Sequence, residues 1–178
     1  MKRPDMYKVR LASPNDAEDM TWIHVQSWKT NYKGIISQKY LDSINYEELL
    51  INRKEVLEKG IGFHLVSIYQ EKVVGFCEAG FSILRETRKS SIENRIEKGE
   101  VYSIYVRDEH QGQGVGRELF KQALFWLKKK ELSPVIVWTL KENQKARAFY
   151  ESQGGKLIEV MEVCIGEELY SSVGYHFL

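Results

Sequence analysis

Apolar and polar residues alternate over residues 7–11 (Tyr-Lys-Val-Arg-Leu), which predicts a first strand with one covered face. The period then lengthens. Ala17, Met20, Ile23 and Ser27 recur at helical spacing, behind Ser13 as cap, Pro14 at the first position and Asp16 near the positive end. A helix is expected there, with Trp28 and Tyr32 near its exit. A second helical region is expected over 37–59, stopped by Gly60. Residues 63–69 and 73–81 read as strands joined by a polar turn at Gln70-Glu-Lys72. Residues 82–98 are polar and charged with no apolar period, and no element is assigned to them.

A further strand is predicted over 101–106, then a helix over 114–130 with Val115, Leu119, Ala123, Leu124 and Leu127 on one face. Pro134 opens the run Val135-Ile-Val-Trp138, short and unalternating as a strand covered on both faces is. A helix over 142–152 is closed by Gly154 and Gly155, and strands over 156–165 and 169–177 complete the chain. No repeat, low-complexity stretch or linker interrupts this order. One domain over residues 1–178 is expected, as the length allows.

Composition narrows the function classes. Lysine plus arginine number 26 against 25 acidic residues, so no net field draws the chain to nucleic acid or to a membrane surface. No stretch approaches the roughly 20 apolar residues of a membrane span, and the N-terminus carries no apolar signal core. Cys77 and Cys164 lie in apolar strand-like runs and are expected to be reduced core thiols of a cytoplasmic protein.

The chemistry begins where the strand at 101–106 hands over to the next helix. Gly112, Gly114 and Gly116 occupy that junction. Unpaired N–H groups and the positive end of a helix dipole make such a junction an anion site, and glycine lets the main chain approach a phosphate. Gly116 is followed by Arg117 and Glu118, which excludes a P-loop. The spacing G-x-G-x-G, with no acidic residue about twenty positions on, excludes a Rossmann fingerprint.

The pattern Gln111-x-x-Gly114-x-Gly116 resembles the acetyl-CoA pyrophosphate motif of the GNAT superfamily of N-acetyltransferases. Asn143, Ala146, Phe149, Tyr150 and Gly154 resemble that family's second cofactor segment, and residues 100–106 its central strand. The resemblance implies a mixed α/β, mostly antiparallel sheet with splayed central strands and helices on both faces. It implies acetyl-CoA as cosubstrate and no metal. The acceptor is a primary amine of a small molecule or a peptide, with no nucleic acid or membrane partner. The two C-terminal strands are candidates for a homodimer contact.

By the same resemblance, backbone groups of Ile104 and Val106, with Tyr105 between them, bond the pantetheine arm. The N–H groups of Gln111, Gly112, Gln113, Gly114, Val115, Gly116 and Arg117 wrap the pyrophosphate, and Asn143 and Arg147 complete the cofactor set. Tyr150 is the general acid for the departing thiolate. As the base, Glu100 opens the central strand and by period two shares a face with Tyr102 and Ile104. Glu78, a carboxylate in an apolar strand, and water alone are the rivals. Trp28, Tyr32 and Tyr102 are candidates for an aromatic wall at the acceptor pocket, which is expected to include residues 82–98. The alternative from another class is a non-catalytic acyl-CoA-binding module.

Overall fold

A computed structural model describes residues 7–82 and 99–178. Among these, one sheet runs in the order β1-β2-β3-β4-β5-β7-β6. Its strands are β1 (Lys8–Leu11), β2 (Phe63–Tyr69), β3 (Lys72–Phe81), β4 (Gly99–Val106), β5 (Val135–Leu140), β6 (Lys156–Ile165) and β7 (Glu168–Phe177). Every neighbouring pair is antiparallel except β4 with β5. The helices are α1 (Ala17–Asn31), α2 (Gln38–Ser43), α3 (Tyr46–Glu58), α4 (Val115–Lys129) and α5 (Gln144–Ser152).

Both faces of the sheet are covered, which explains the apolar runs in β2 and β3. Met20 and Ile23 of α1 and Leu57 of α3 pack on Val66, Val73 and Phe76. On the opposite face α4 presents Val115, Leu119, Phe120, Ala123 and Leu127, one stripe at helical spacing, to Leu65, Cys77 and Val101. The region expected as one helix over 37–59 is two. Asn45 accepts from the Glu48 N–H at 3.2 Å and starts α3 afresh after α2 ends at Ser43.

Two features of β4 create the site. It pairs with β5 only through Gly99↔Val135, Glu100↔Ile136 and Val101↔Val137, and beyond that the two strands diverge. Against β3, Glu78 faces Ser103 while Ala79 faces Val101, so Tyr102 is an inserted bulge residue. The bulge corrects the simple alternation. Val101 and Ile104, three positions apart, both reach the α4-side core, and Glu100 does not share a face with Ile104.

Cys77 is buried, and burial pushes its thiol up. Cys164 is exposed, which corrects its expected place in the core: it lies on β6, which among the described residues has β7 on one side and no strand on the other. No helix among the described residues is long and apolar enough to cross a membrane. Residues 83–98, expected to help form an acceptor pocket, fall outside the described residues.

Candidate active site

A cavity of about 530 Å³ opens where β4 and β5 part. One wall is β4 itself, through Ile104, Tyr105 and Val106. The strand has no β5 partner there, so its backbone groups on that side are free of the ladder. The facing wall is the end of β5, with Trp138 and Thr139, followed by Asn143 and α5. Thr139 Oγ1 is buried and has no hydrogen-bond partner among the described residues.

The glycine turn closes one end. Gly112 and Gly114 have φ of +72° and +87°, a region costly for residues with a Cβ. A Cβ at either position would meet no atom within 4 Å, so the backbone is open to a ligand. The Glu118 N–H bonds the Gly114 carbonyl at 3.0 Å, which starts α4 there. The N–H groups of Val115, Gly116 and Arg117 therefore have no partner within the helix. Arg117 and Lys145 bring two cations to this end. Gln111 ties the turn to its surroundings: its Nε2 donates to Val106 O at 2.9 Å and to Asp108 Oδ1 at 2.8 Å, and its Oε1 accepts from Lys145 Nζ.

Asn143 is both a cap and a cavity residue. Its Oδ1 accepts from the Ala146 N–H at 3.0 Å. Tyr150 lines the cavity from α5 while packed against Phe120, Phe149 and Tyr175. Burial, reinforced by Tyr32 and Cys77, pushes its phenol well up, so it keeps its proton at neutral pH. Tyr32 is pushed up too, by burial, with the nearby Asn143 and Tyr105 opposing.

The remaining candidates divide. Tyr32 and Tyr102 line the cavity, the Tyr102 hydroxyl donating to Phe81 O across Gly80. Trp28 stands behind this wall, its Nε1 donating to Tyr105 Oη at 2.8 Å between the rings of Tyr32 and Tyr40. Glu100 is 8% exposed, accepts from Ser82 Oγ at 3.2 Å and does not line the cavity, whereas Tyr102 two positions on does. Glu78 lies beneath α1 and α3. Burial would raise its carboxyl, but the adjacent His64, the Arg53 charge and a hydrogen bond from Ser103 outweigh that and hold it at about 2.

Comparison with known proteins decides what this arrangement is. The model of the Acetyltransferase (GNAT) family matches residues 19–155. The chain belongs to that family. The Bacillus subtilis protein named uncharacterized N-acetyltransferase YuaI is 33% identical over 147 residues, covering 83% of this chain and 79% of its own. The spermidine N(1)-acetyltransferase of Thermoplasma acidophilum is 23% identical, covering 84% and 88%. Among solved structures, the PaiA N-acetyltransferase of Thermoplasma acidophilum in complex with coenzyme A superposes with a TM-score of 0.70 at 22% identity, over 94% of this chain and 98% of that one.

Membership in the GNAT family makes the protein an acyltransferase, and its sheet with diverging central strands is the family's fold. Within this GNAT site, sequence reasoning placed Arg147 on the cofactor and missed Lys145. The structure brings Lys145, and not Arg147, to the cavity lining. The Arg147 guanidinium bonds Tyr175 Oη at 3.2 Å and Lys141 O at 3.2 Å, because α5 turns that position toward β7. Lys145 lines the cavity. Gln113 and Val115 do not line the cavity, and the Val115 side chain is buried where the first turn of α4 faces the sheet. Ser103 and Thr139 were also missed; each lies on a strand flanking the divergence, a signal available only once the pairing of β4 and β5 is known.

Proposed function

We propose that this protein transfers an acetyl group from acetyl-CoA to a primary amine of a small molecule or peptide. The observation that carries the reading is one cavity joining three parts: an anion-binding glycine turn, an unpaired length of β4, and a buried, protonated Tyr150. The open backbone at Gly112 and Gly114 and the unsatisfied Thr139 Oγ1 fit a long polar ligand lying through the divergence. The CoA-bound relative and the spermidine acetyltransferase support the same cosubstrate and acceptor class.

The turn from Gln111 to Arg117 holds the pyrophosphate by backbone N–H groups, with Arg117 and Lys145 adding charge. Ile104, Tyr105 and Val106 bond the pantetheine arm from one side and Asn143 from the other, which fixes the acetyl group at the gap. The thioester supplies the activated acyl group. Tyr150 donates its phenolic proton to the sulfur that leaves. Glu78 is unsuited to take the proton of the amine, since Arg53 and His64 already hold it ionised. Glu100 takes it through water beside Tyr102.

The test is thermal unfolding with acetyl-CoA, CoA and ATP in parallel, followed by thiol release with a panel of amines. A ligand at a hundred times its Kd adds about 2.7 kcal/mol. Stabilisation by acetyl-CoA and CoA but not ATP, with amine-dependent thiol release, supports the reading. Stabilisation without release from any amine favours the non-catalytic binding module, and no stabilisation removes the cofactor assignment.

A further inference from the structure

Tyr7, immediately before β1, is no part of the cavity lining, yet its hydroxyl reaches the glycine turn. It lies 2.6 Å from Gln113 Oε1 and 3.0 Å from His110 Nδ1. The direction of these bonds follows from their surroundings. Gln113 Nε2 donates to Glu109 O at 3.0 Å, so the amide turns its oxygen to Tyr7, and Tyr7 must donate there. With that proton committed, the contact with His110 requires a proton on Nδ1. The outcome is a one-way chain from His110 Nδ1–H to the Tyr7 hydroxyl to Gln113 Oε1, continued from Gln113 Nε2 to Glu109 O.

The rings hold the chain in place. Tyr7 and Tyr69 pack at 5.0 Å between centroids, His110 and Tyr69 at 5.3 Å, and Tyr7 meets His110 edge-on at 5.7 Å. Both polar ends, His110 and Gln113, bracket Gln111 and Gly112, and Gln113 directly precedes Gly114 at φ +87°. A glycine-rich turn is otherwise costly to order, because glycine loses the most conformational freedom.

We propose that Tyr7, held by His110, clasps the Gln113 side chain so that the N–H groups from Gly112 to Val115 converge on the pyrophosphate before it arrives. Tyr7 is thus a positioning residue acting through Gln113, and the inference rests on the acetyl-CoA reading above. Preorganisation of this kind raises affinity by removing the ordering cost from the binding step.

The experiment is calorimetric measurement of CoA affinity for the wild type, Tyr7→Phe, Gln113→Met and the double variant, with unfolding temperatures of the free proteins alongside. Both single changes remove the Tyr7–Gln113 bond, and Gln113→Met also removes the bond to Glu109 O; Tyr7→Phe therefore weakens CoA by about fivefold to tenfold, Gln113→Met by at least as much, and the double variant by no more than Gln113→Met alone. A lower unfolding temperature with unchanged CoA affinity makes the cluster a fold anchor only and overturns the proposal. Additive losses in the double variant overturn it as well. Wild type that fails to bind CoA removes the acetyl-CoA reading and the clasp together, whereas equal binding by all four proteins removes the clasp alone.

Discussion

Ser103 Oγ donates to Glu78 Oε2 at 2.6 Å, and this bond joins the wall of the cavity to a buried charge cluster beneath α1 and α3. Arg53 approaches the same carboxylate at 3.3 Å and His64 Nδ1 at 3.4 Å. The guanidinium also donates to Thr21 Oγ1 at 3.0 Å, lies 3.2 Å from His24 Nδ1, and stands over the Phe76 ring at 4.9 Å. One ion pair therefore pins α1, α3, β3 and β4 behind the active cavity.

Removing one partner of that pair leaves the other buried and uncompensated. Arg53→Met is expected to destabilise the fold by about 3–5 kcal/mol, read from denaturant unfolding. Replacing both, as Arg53→Met with Glu78→Leu, restores much of the loss, since a matched apolar pair carries no orphaned charge. A single variant as stable as the wild type contradicts the cluster's anchoring role.

The same cluster sets the acid limb of stability. Glu78 is held at about 2 against 4.5 in the unfolded chain, so the unfolded state binds this proton first as pH falls. Its contribution is complete above 4.5 and is lost toward 2. His24 acts earlier. Burial, then the Arg53 charge, lowers it to about 4 from 6.5, with Glu78 opposing. The unfolded chain takes up that proton below 6.5 while the folded chain stays neutral until about 4. The denaturation midpoint should fall in two overlapping stages, and His24→Gln should flatten the upper one. A midpoint that rises between pH 6.5 and 4 contradicts this assignment.

At the reacting end, Tyr150→Phe should lower kcat by on the order of 10²-fold and leave CoA affinity near wild type. Because burial raises the Tyr150 phenol above 10, its loss of a proton cannot produce a fall in rate below that pH. A variant with wild-type kcat would move the acid role elsewhere.

How much of this was readable from the chain depends on what each part is made of. The cofactor end rests on backbone, so it leaves a spacing in the sequence: Gly112 and Gly114 occupy left-handed positions, and Asn143 and Tyr150 are placed by a helix whose cap and stop are visible. The restart of α3 was marked by Asn45 and Glu48, although one helix was expected across it. The acceptor end rests on irregularity. A bulge at Tyr102 leaves no trace in alternation, yet it moves Glu100 out of phase with Ile104. Helical period shows that Arg147 and Lys145 lie on different faces of α5, but only the position of β7 shows which face meets Tyr175.

The glycine turn offers the sharpest separation of backbone geometry from ligand contact. At Gly116 a Cβ would sit 3.7 Å from the Phe149 ring, an ordinary contact, and φ is not left-handed. Gly116→Ala should therefore fold and bind CoA as the wild type does. At Gly114 the φ of +87° makes any side chain strained, by about 1–2 kcal/mol. Gly114→Ala reports that strain alone, as a modest loss of stability with weakened binding. Gly114→Glu adds a carboxylate in the open space over the turn, and repulsion from the pyrophosphate should abolish CoA binding in calorimetry while the protein remains folded. If Gly114→Glu binds as well as Gly114→Ala, the anion does not lie over this turn, and the cavity must hold its ligand in another orientation.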